Sequence, residues 1–298
     1  MRIPDLNSSD SLIGNLQRLN SRQHDLQNQV STGQRITKAS DDPAAAARVL
    51  QLQQEKQRLQ QYAQNGDRAL AINQTAYSAI TELKTVSDRA SELGVLGVGV
   101  LEPAASQGYA TELNQLIEHS IDSLNASYSG QHIFGGTKTD TPPFTATRDA
   151  SGNVTGVTYV GATDSPEFNV GENAKISSFT SATTNQQFGD FVNNLVAMRD
   201  ALKSGSTAAV QAAQPALTAS EDHILGSVAT IGTTQTRLEG NRTQMESRFT
   251  ELEELTSKDT DADLSNTIVK LSQAQTAYQA ALQVGAQVLR VSLLDYLR

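Results

Sequence analysis

Asp259, Asp261 and Asp263 stand two residues apart, the spacing of the first three ligands in a calcium-binding EF-hand loop. The loop then fails. Its sixth position, which needs Gly, is Leu264, and its twelfth, which needs a bidentate Glu, is Lys270. Aspartates in front of an apolar periodic segment read instead as a helix cap, because a carboxylate accepts hydrogen bonds from the free N–H groups of a first turn. Gly94, Gly97 and Gly99 lack the G-x-G-x-x-G spacing of a phosphate cradle and follow no strand, so they read as an interhelical turn. His24, His119, His132 and His223 contain no i,i+3 or i,i+4 pair, so no helix offers two imidazoles to one metal. Asp41 and Asp42 are adjacent, and adjacent side chains diverge on a helix. Pro43 after them marks them as the cap of a new helix. The chain has no Cys and no G-x-S-x-G, and no nucleophile–base constellation emerges. These residues lead us to expect no enzyme, no cofactor and no metal.

The elements around these residues are helical at both ends of the chain. From Ser11 to Gly33, Leu12, Leu16, Leu19, Gln23, Leu26 and Val30 alternate spacings of four and three, a heptad seam with one polar position. Ser9 or Asp10 is the capping residue the composition offers. A second helix reads from Pro43 to about Leu93, with Ala69, Ile72, Ala76, Ala79, Leu83, Val86, Ala90 and Leu93 on one face. Pro103 starts a third, and its short connection implies an antiparallel hairpin. Residues 129–185 turn rich in Gly, Thr, Pro, Asn and Asp. There Val154–Val160 follows a turn at Asp149–Asn153, and Phe168, Val170 and Ile176 suggest another strand pair. Helical spacing returns at Phe188 and in a long segment from Thr207 to Leu255. The last helix carries Leu264, Ile268, Leu271, Gln275, Tyr278, Leu282, Gly285 and Leu289, and ends on Leu293, Leu294 and Leu297. A lone amphipathic helix is marginal in water, so the two terminal segments are natural partners for each other.

The expected fold is therefore mainly α: an elongated helical bundle or coiled coil with paired terminal helices and a small inserted β-rich domain. Residues 1–42 with 258–298 form the terminal coiled-coil domain. Residues 43–128 with 186–257 form a long helical bundle, and 129–185 the insert. Composition agrees. Aromatics are 5% of 298 residues, with no Trp, too few for one large globular core. Lys plus Arg number 23 against 32 Asp plus Glu, a net charge of −9, so nucleic acid is a poor partner. No apolar run is long enough to cross a membrane, and the N-terminus lacks the apolar stretch of a cleavable signal peptide. The candidate assembly residues are Leu12, Leu16, Leu19, Leu26 and Val30 near the start, and Leu271, Tyr278, Leu282, Leu289, Leu293, Leu294 and Leu297 near the end.

Three motifs carry a resemblance. Ser31-Thr32-Gly33-Gln34-Arg35-Ile36-Thr37, followed by Ala39-Ser40-Asp41-Asp42-Pro43-Ala44-Ala45-Ala46, is similar to the N-terminal signature of the flagellin superfamily. Ser129–Phe144 is similar to that family's G-x-Y-x-F-x-G stretch ending in P-F, with His132 where a Tyr is usual. Ala277–Leu282 through Ser292–Leu297 is similar to its C-terminal segment. The S-D-D-P form points to the hook–filament junction members rather than to the filament subunits. The resemblance implies an axial structural subunit of the bacterial flagellum, exported without a cleavable signal, with the terminal helices innermost and the insert outward. The partners it implies are further copies of the chain in a ring, the first hook-associated protein (FlgK), flagellin and an export chaperone. Filament flagellin itself, or an unrelated secreted coiled-coil protein, are the alternatives.

Overall fold

The computed structural model describes residues 5–99 and 102–296, and side chains within 10–99 and 102–287. Six helices are described: α1 (Asp5–Thr32), α2 (Pro43–Val98), α3 (Pro103–Leu124), α4 (Ala182–Lys203), α5 (Thr207–Thr260) and α6 (Leu264–Tyr296). Between α3 and α4 lie three antiparallel hairpins. β1 (Ser127–Tyr128) pairs with β2 (Gln131–His132), β3 (Phe144–Arg148) with β4 (Val154–Tyr159), and β5 (Phe168–Asn169) with β6 (Lys175–Ile176). The fold is mainly α with a small β-rich insert, as the sequence pattern implies. α1 starts at Asp5, ahead of the Ser9 or Asp10 cap expected from composition.

The chain divides into two compact units, residues 1–58 with 248–298 and residues 59–247. In the second unit, the 3-4 spacing of α2 becomes a buried stripe through Ile72, Ala76, Ile80, Leu83, Val86, Ala90 and Leu93. It joins Leu113, Ile117 and Leu124 of α3, Phe188, Phe191 and Leu195 of α4, and Leu217 and Ile224 of α5 in one core. Gly94 and Gly97 do not form the turn expected of them. α2 runs through both, and the bend comes at Gly99. A Cβ on Gly97 would lie 2.3 Å from Leu202 Cδ2 on α4. The glycine is there to let the two helices approach, not to break one of them.

The insert is docked by asparagines acting as short pieces of strand. Asn193 Nδ2 on α4 donates to Val157 O at 3.0 Å, and its Oδ1 accepts from Val157 N–H at 2.8 Å. Asn125, just past α3, does the same for Phe144, donating to its O and accepting from its N–H at 3.0 Å each. Each amide satisfies a donor and an acceptor that the edge of a two-stranded sheet leaves open. The β3–β4 turn is held by Asp149, whose Oδ1 accepts from Ser151 N–H at 2.8 Å and Asn153 N–H at 2.9 Å. Gly152 takes φ 85 there, a left-handed conformation that favours glycine.

Candidate assembly interface

The sequence-predicted site lies in the first unit. α1 and α6 pack against each other. They run antiparallel. At one end a Cβ on Gly285 would sit 3.1 Å from Leu12 Cδ2. At the other, Gln34 bridges Asp261, and Ala262 N–H donates to Gly33 O at 2.8 Å. Leu12, Leu16, Leu19, Gln23 and Val30 are half-buried and Leu26 is buried, so the heptad read in α1 is the face that α1 buries. On α6 the less exposed positions are Thr267, Leu271, Ala274, Tyr278, Ala281 and Gly285, again spaced four and three. Leu271 and Tyr278 thus lie in this intramolecular seam, as does Gly285.

Leu282 does not. It is 46% exposed, beside Leu264 at 46% and Ile268 at 53%. Separations of four, fourteen and eighteen residues bring these three to one side of α6, roughly a fifth of a turn from the seam. Four of the six seam positions are Thr, Ala or Gly, small residues that let helix axes approach, while Leu264, Ile268 and Leu282 stay outside it. Leu289, Leu293 and Leu294 belong to α6, but their side chains lie outside the described residues, and Leu297 lies outside them altogether.

The pair is clamped at its elbows. Asp42 caps α2, its Oδ1 accepting from Ala45 N–H at 3.0 Å. Asp41 folds back to accept from Thr37 N–H at 3.0 Å and Lys38 N–H at 2.9 Å. Arg48 forks onto the Asp259 carboxylate, its Nη2 at 2.7 Å and its Nε at 3.1 Å. Arg35 donates to Asp259 O at 2.8 Å and also meets Asp42 at 3.4 Å. Asp263 Oδ1 accepts from Asn266 N–H at 3.1 Å, capping α6. The three aspartates that imitate a calcium loop therefore do other work: an ion pair, a local turn with Ser257 at 2.5 Å, and a cap. Among the described residues no group of three or more His, Asp or Glu could hold a metal. Three of these carboxylates are held below their ordinary pKa, Asp41 first by Lys38 N–H, Asp42 first by Ala45 N–H, and Asp259 first by its hydrogen bond from Arg48.

Two kinds of site residue escape the sequence reading. The docking amides Asn125 and Asn193 sit in helical or turn contexts where Asn usually faces water. Arg48 has no sequence mark linking it to Asp259, 211 residues away.

The chain is similar to several known proteins. Residues 3–139 match the bacterial flagellin N-terminal helical region. Flagellar hook-associated protein 3 of Salmonella typhimurium is 32% identical over 118 residues, 39% of this chain and 37% of that protein. The protein of the same name from Escherichia coli K12 is 28% identical over 174 residues, 58% of this chain and 52% of that protein. The chain thus matches about half or less of the length of these relatives. Its fold is shared with a putative flagellar hook-associated protein from Vibrio parahaemolyticus, with a TM-score of 0.65, 21% identity, and coverage of 74% of this chain and 100% of that one. It is shared also with FlgL of Bacillus cereus, with a TM-score of 0.61, 17% identity, and coverage of 70% and 99%. The resemblance carried by the Ser31–Ala46 motif is borne out: the motif lies within the stretch that matches the flagellin N-terminal region, and the chain is similar to flagellar hook-associated protein 3. Among the described residues no helix is long and apolar enough to cross a membrane.

Proposed function

We propose that this relative of hook-associated protein 3 is a non-enzymatic structural subunit of the bacterial flagellum, set at the junction between hook and filament. The observation that carries the reading is the terminal pair. Two helices from opposite ends of the chain close a seam on each other, yet leave Leu264, Ile268 and Leu282 on an outer side of α6 in water. An isolated monomer gains nothing from that stripe. A ring of copies buries it. In the assembly, residues 1–42 with 258–298 form the inner layer, 43–128 with 186–257 the next, and 129–185 the outer surface. The interface comprises the outer stripe together with the flanks of Leu12, Leu16, Leu19, Leu26, Val30, Leu271 and Tyr278, and the terminal Leu289, Leu293, Leu294 and Leu297. The partners are further copies, the first hook-associated protein on the hook side, flagellin on the filament side, and an export chaperone before assembly. The subunit works outside the cell, having left through the flagellar export route.

The test is expression of the chain in a flagellated host that lacks its own junction subunit. Restored swimming with attached filaments supports the reading. Hooks that remain bare while flagellin collects in the medium count against it. Long filaments formed by the purified chain alone would assign it instead to the filament.

A further inference from the structure

The charge of this chain is unevenly shared between its two units. Residues 1–58 with 248–298 hold 13 Lys and Arg against 13 Asp and Glu, so the first unit is neutral. Residues 59–247 hold the remaining 10 against 19, which is the whole net charge of −9. Several charges of the first unit are paired inside it, Arg48 with Asp259, Lys56 with Glu253, and Arg248 with Glu55 and Glu251. In the second unit Glu102, Asp140, Glu172 and Asp190 are exposed and make no ion pair among the described residues. A body of large net charge repels its own copies, and a neutral one does not.

The neutral unit also holds the least charged helix surface. From Leu264 to Leu289, α6 has a single charged residue, Lys270, although 18% of the chain is charged. Its other exposed positions are Ser, Thr, Asn, Gln and Ala, together with Leu264, Ile268, Leu282, Val269 and Val284. Val269 and Val284 lie five and twenty residues beyond Leu264, which places them on other sides of the helix from the Leu264–Leu282 stripe. Apolar surface therefore goes round α6 outside its seam with α1. Depletion of charge marks the core of an interface, and a helix apolar on every side is one that neighbours enclose. Ile13 on α1 and Leu50 on α2, exposed in the same unit, give a second copy apolar surface to offer in return. A strongly basic partner would be drawn to residues 59–247 instead.

We propose that copies of this chain meet through the uncharged faces of α6 in the neutral unit, that the charge of residues 59–247 opposes the meeting, and that ionic strength therefore shifts the chain between monomer and assembly. This rests on the assembly reading above and adds its control. Raising salt from about 0.01 M to about 0.15 M shortens the screening length from ~30 Å to ~8 Å. Repulsion between the acidic units of neighbouring copies falls accordingly, while the apolar contact at α6 has no charge to screen.

The experiment is sedimentation velocity of the full-length chain over a concentration series, in NaCl from about 0.01 M to about 0.15 M. The expected result is an association constant that rises about tenfold or more across that range, equivalent to ~1.4 kcal/mol. A variant combining Glu102→Gln, Asp140→Asn, Glu172→Gln and Asp190→Asn leaves α6 untouched and removes four negative charges from the second unit. It should associate more tightly than the parent at low salt and respond less to added salt. Each single change should move the low-salt constant the same way, so a variant that misfolds leaves the others to decide. Leu282→Asp should abolish association at every salt concentration. Association that ignores salt or weakens with it, yet is lost in Leu282→Asp, would overturn the control by charge and leave the assembly reading standing. Unchanged low-salt association in the charge variants would do the same, placing the salt effect in the apolar contact itself. A parent that stays monomeric throughout, or associates equally well with Leu282→Asp, would overturn both.

Discussion

Leu282→Asp separates folding of the terminal pair from assembly. Full burial of a leucine is worth about 1.5–3 kcal/mol. Leu282 still exposes 46% of its surface, and Leu264 and Ile268 expose similar shares. Covering the remainder of each would contribute about 0.7–1.4 kcal/mol, and the three together roughly 2–4 kcal/mol per contact. At about 1.4 kcal/mol per tenfold, that is roughly 30- to 1,000-fold in association. An aspartate at 282 forfeits its share and strands a carboxylate in the covered stripe. In the free monomer the same side chain remains at a wet surface, where substitutions are usually within about 0.5 kcal/mol. The control is Leu26→Asp. Leu26 is 8% exposed, so its carboxylate would enter the seam itself and loosen α1 from α6 in the monomer. Circular dichroism melts and limited proteolysis of the purified monomers, set beside filament attachment in the junction-deficient host, give the two readouts. The expected pattern is an intact monomer without attachment for Leu282→Asp, and a trimmed, loosened pair for Leu26→Asp. Normal attachment by Leu282→Asp would refute the outer stripe as an interface. Loss of the pair in both would mean that Leu282 belongs to the fold.

Four further outcomes are expected. Gly97→Val should cost about 1–3 kcal/mol in urea unfolding, because its Cβ would stand 2.3 Å from Leu202 Cδ2. Gly108→Ala, in α3 with open space around it, should instead gain about 0.5–1 kcal/mol. Asn193→Leu leaves both the N–H and the C=O of Val157 without their side-chain partner, a loss of about 2–6 kcal/mol given ~1–3 for each buried unsatisfied group. Hydrogen exchange at Val157 N–H should accelerate, and unchanged protection would remove the asparagine from its docking role. The elbow clamp should be acid-labile. Asp41, Asp42 and Asp259 all have folded pKa values below their ordinary ones, so their stabilisation is present above the unfolded value of about 3.9 and is lost as pH falls through the folded values. Proteolysis at residues 33–42 should rise in that window below about pH 4, and Asp259→Asn should abolish the Asp259 share of the change. A clamp equally open at neutral pH would sink this account.

How far the sequence carries is clearest on α6. Its period was legible, and so was its pairing with α1, because both depend only on which residues recur every three and four. Which face closes the pair was legible in part: Leu271, Tyr278 and Gly285 of the series read in α6 stand in the seam, whereas Leu264, Ile268, Gln275 and Leu282 do not. The seam follows fit: Leu12 meets Gly285, and the less exposed positions alternate Thr267, Leu271, Ala274, Tyr278, Ala281 and Gly285. Small residues at Ala274, Ala281 and Gly285 admit the leucines of α1, and Leu264, Ile268 and Leu282 are left on the flank. The same logic explains Gly97, which reads as a break in isolation and is a contact once α4 is present. It explains Asn193 as well, polar by composition and half-buried because the edge of a two-stranded sheet leaves groups for an amide to pair. Each of these depends on a partner distant in the chain, and periodicity records none of them. The displaced leucines then have a consequence. A helix that already has a partner would be expected to keep its second side polar, whereas α6 keeps Leu264, Ile268 and Leu282 there. Apolar surface left over after the fold has taken what it needs is the mark of a chain that finishes its core with neighbours.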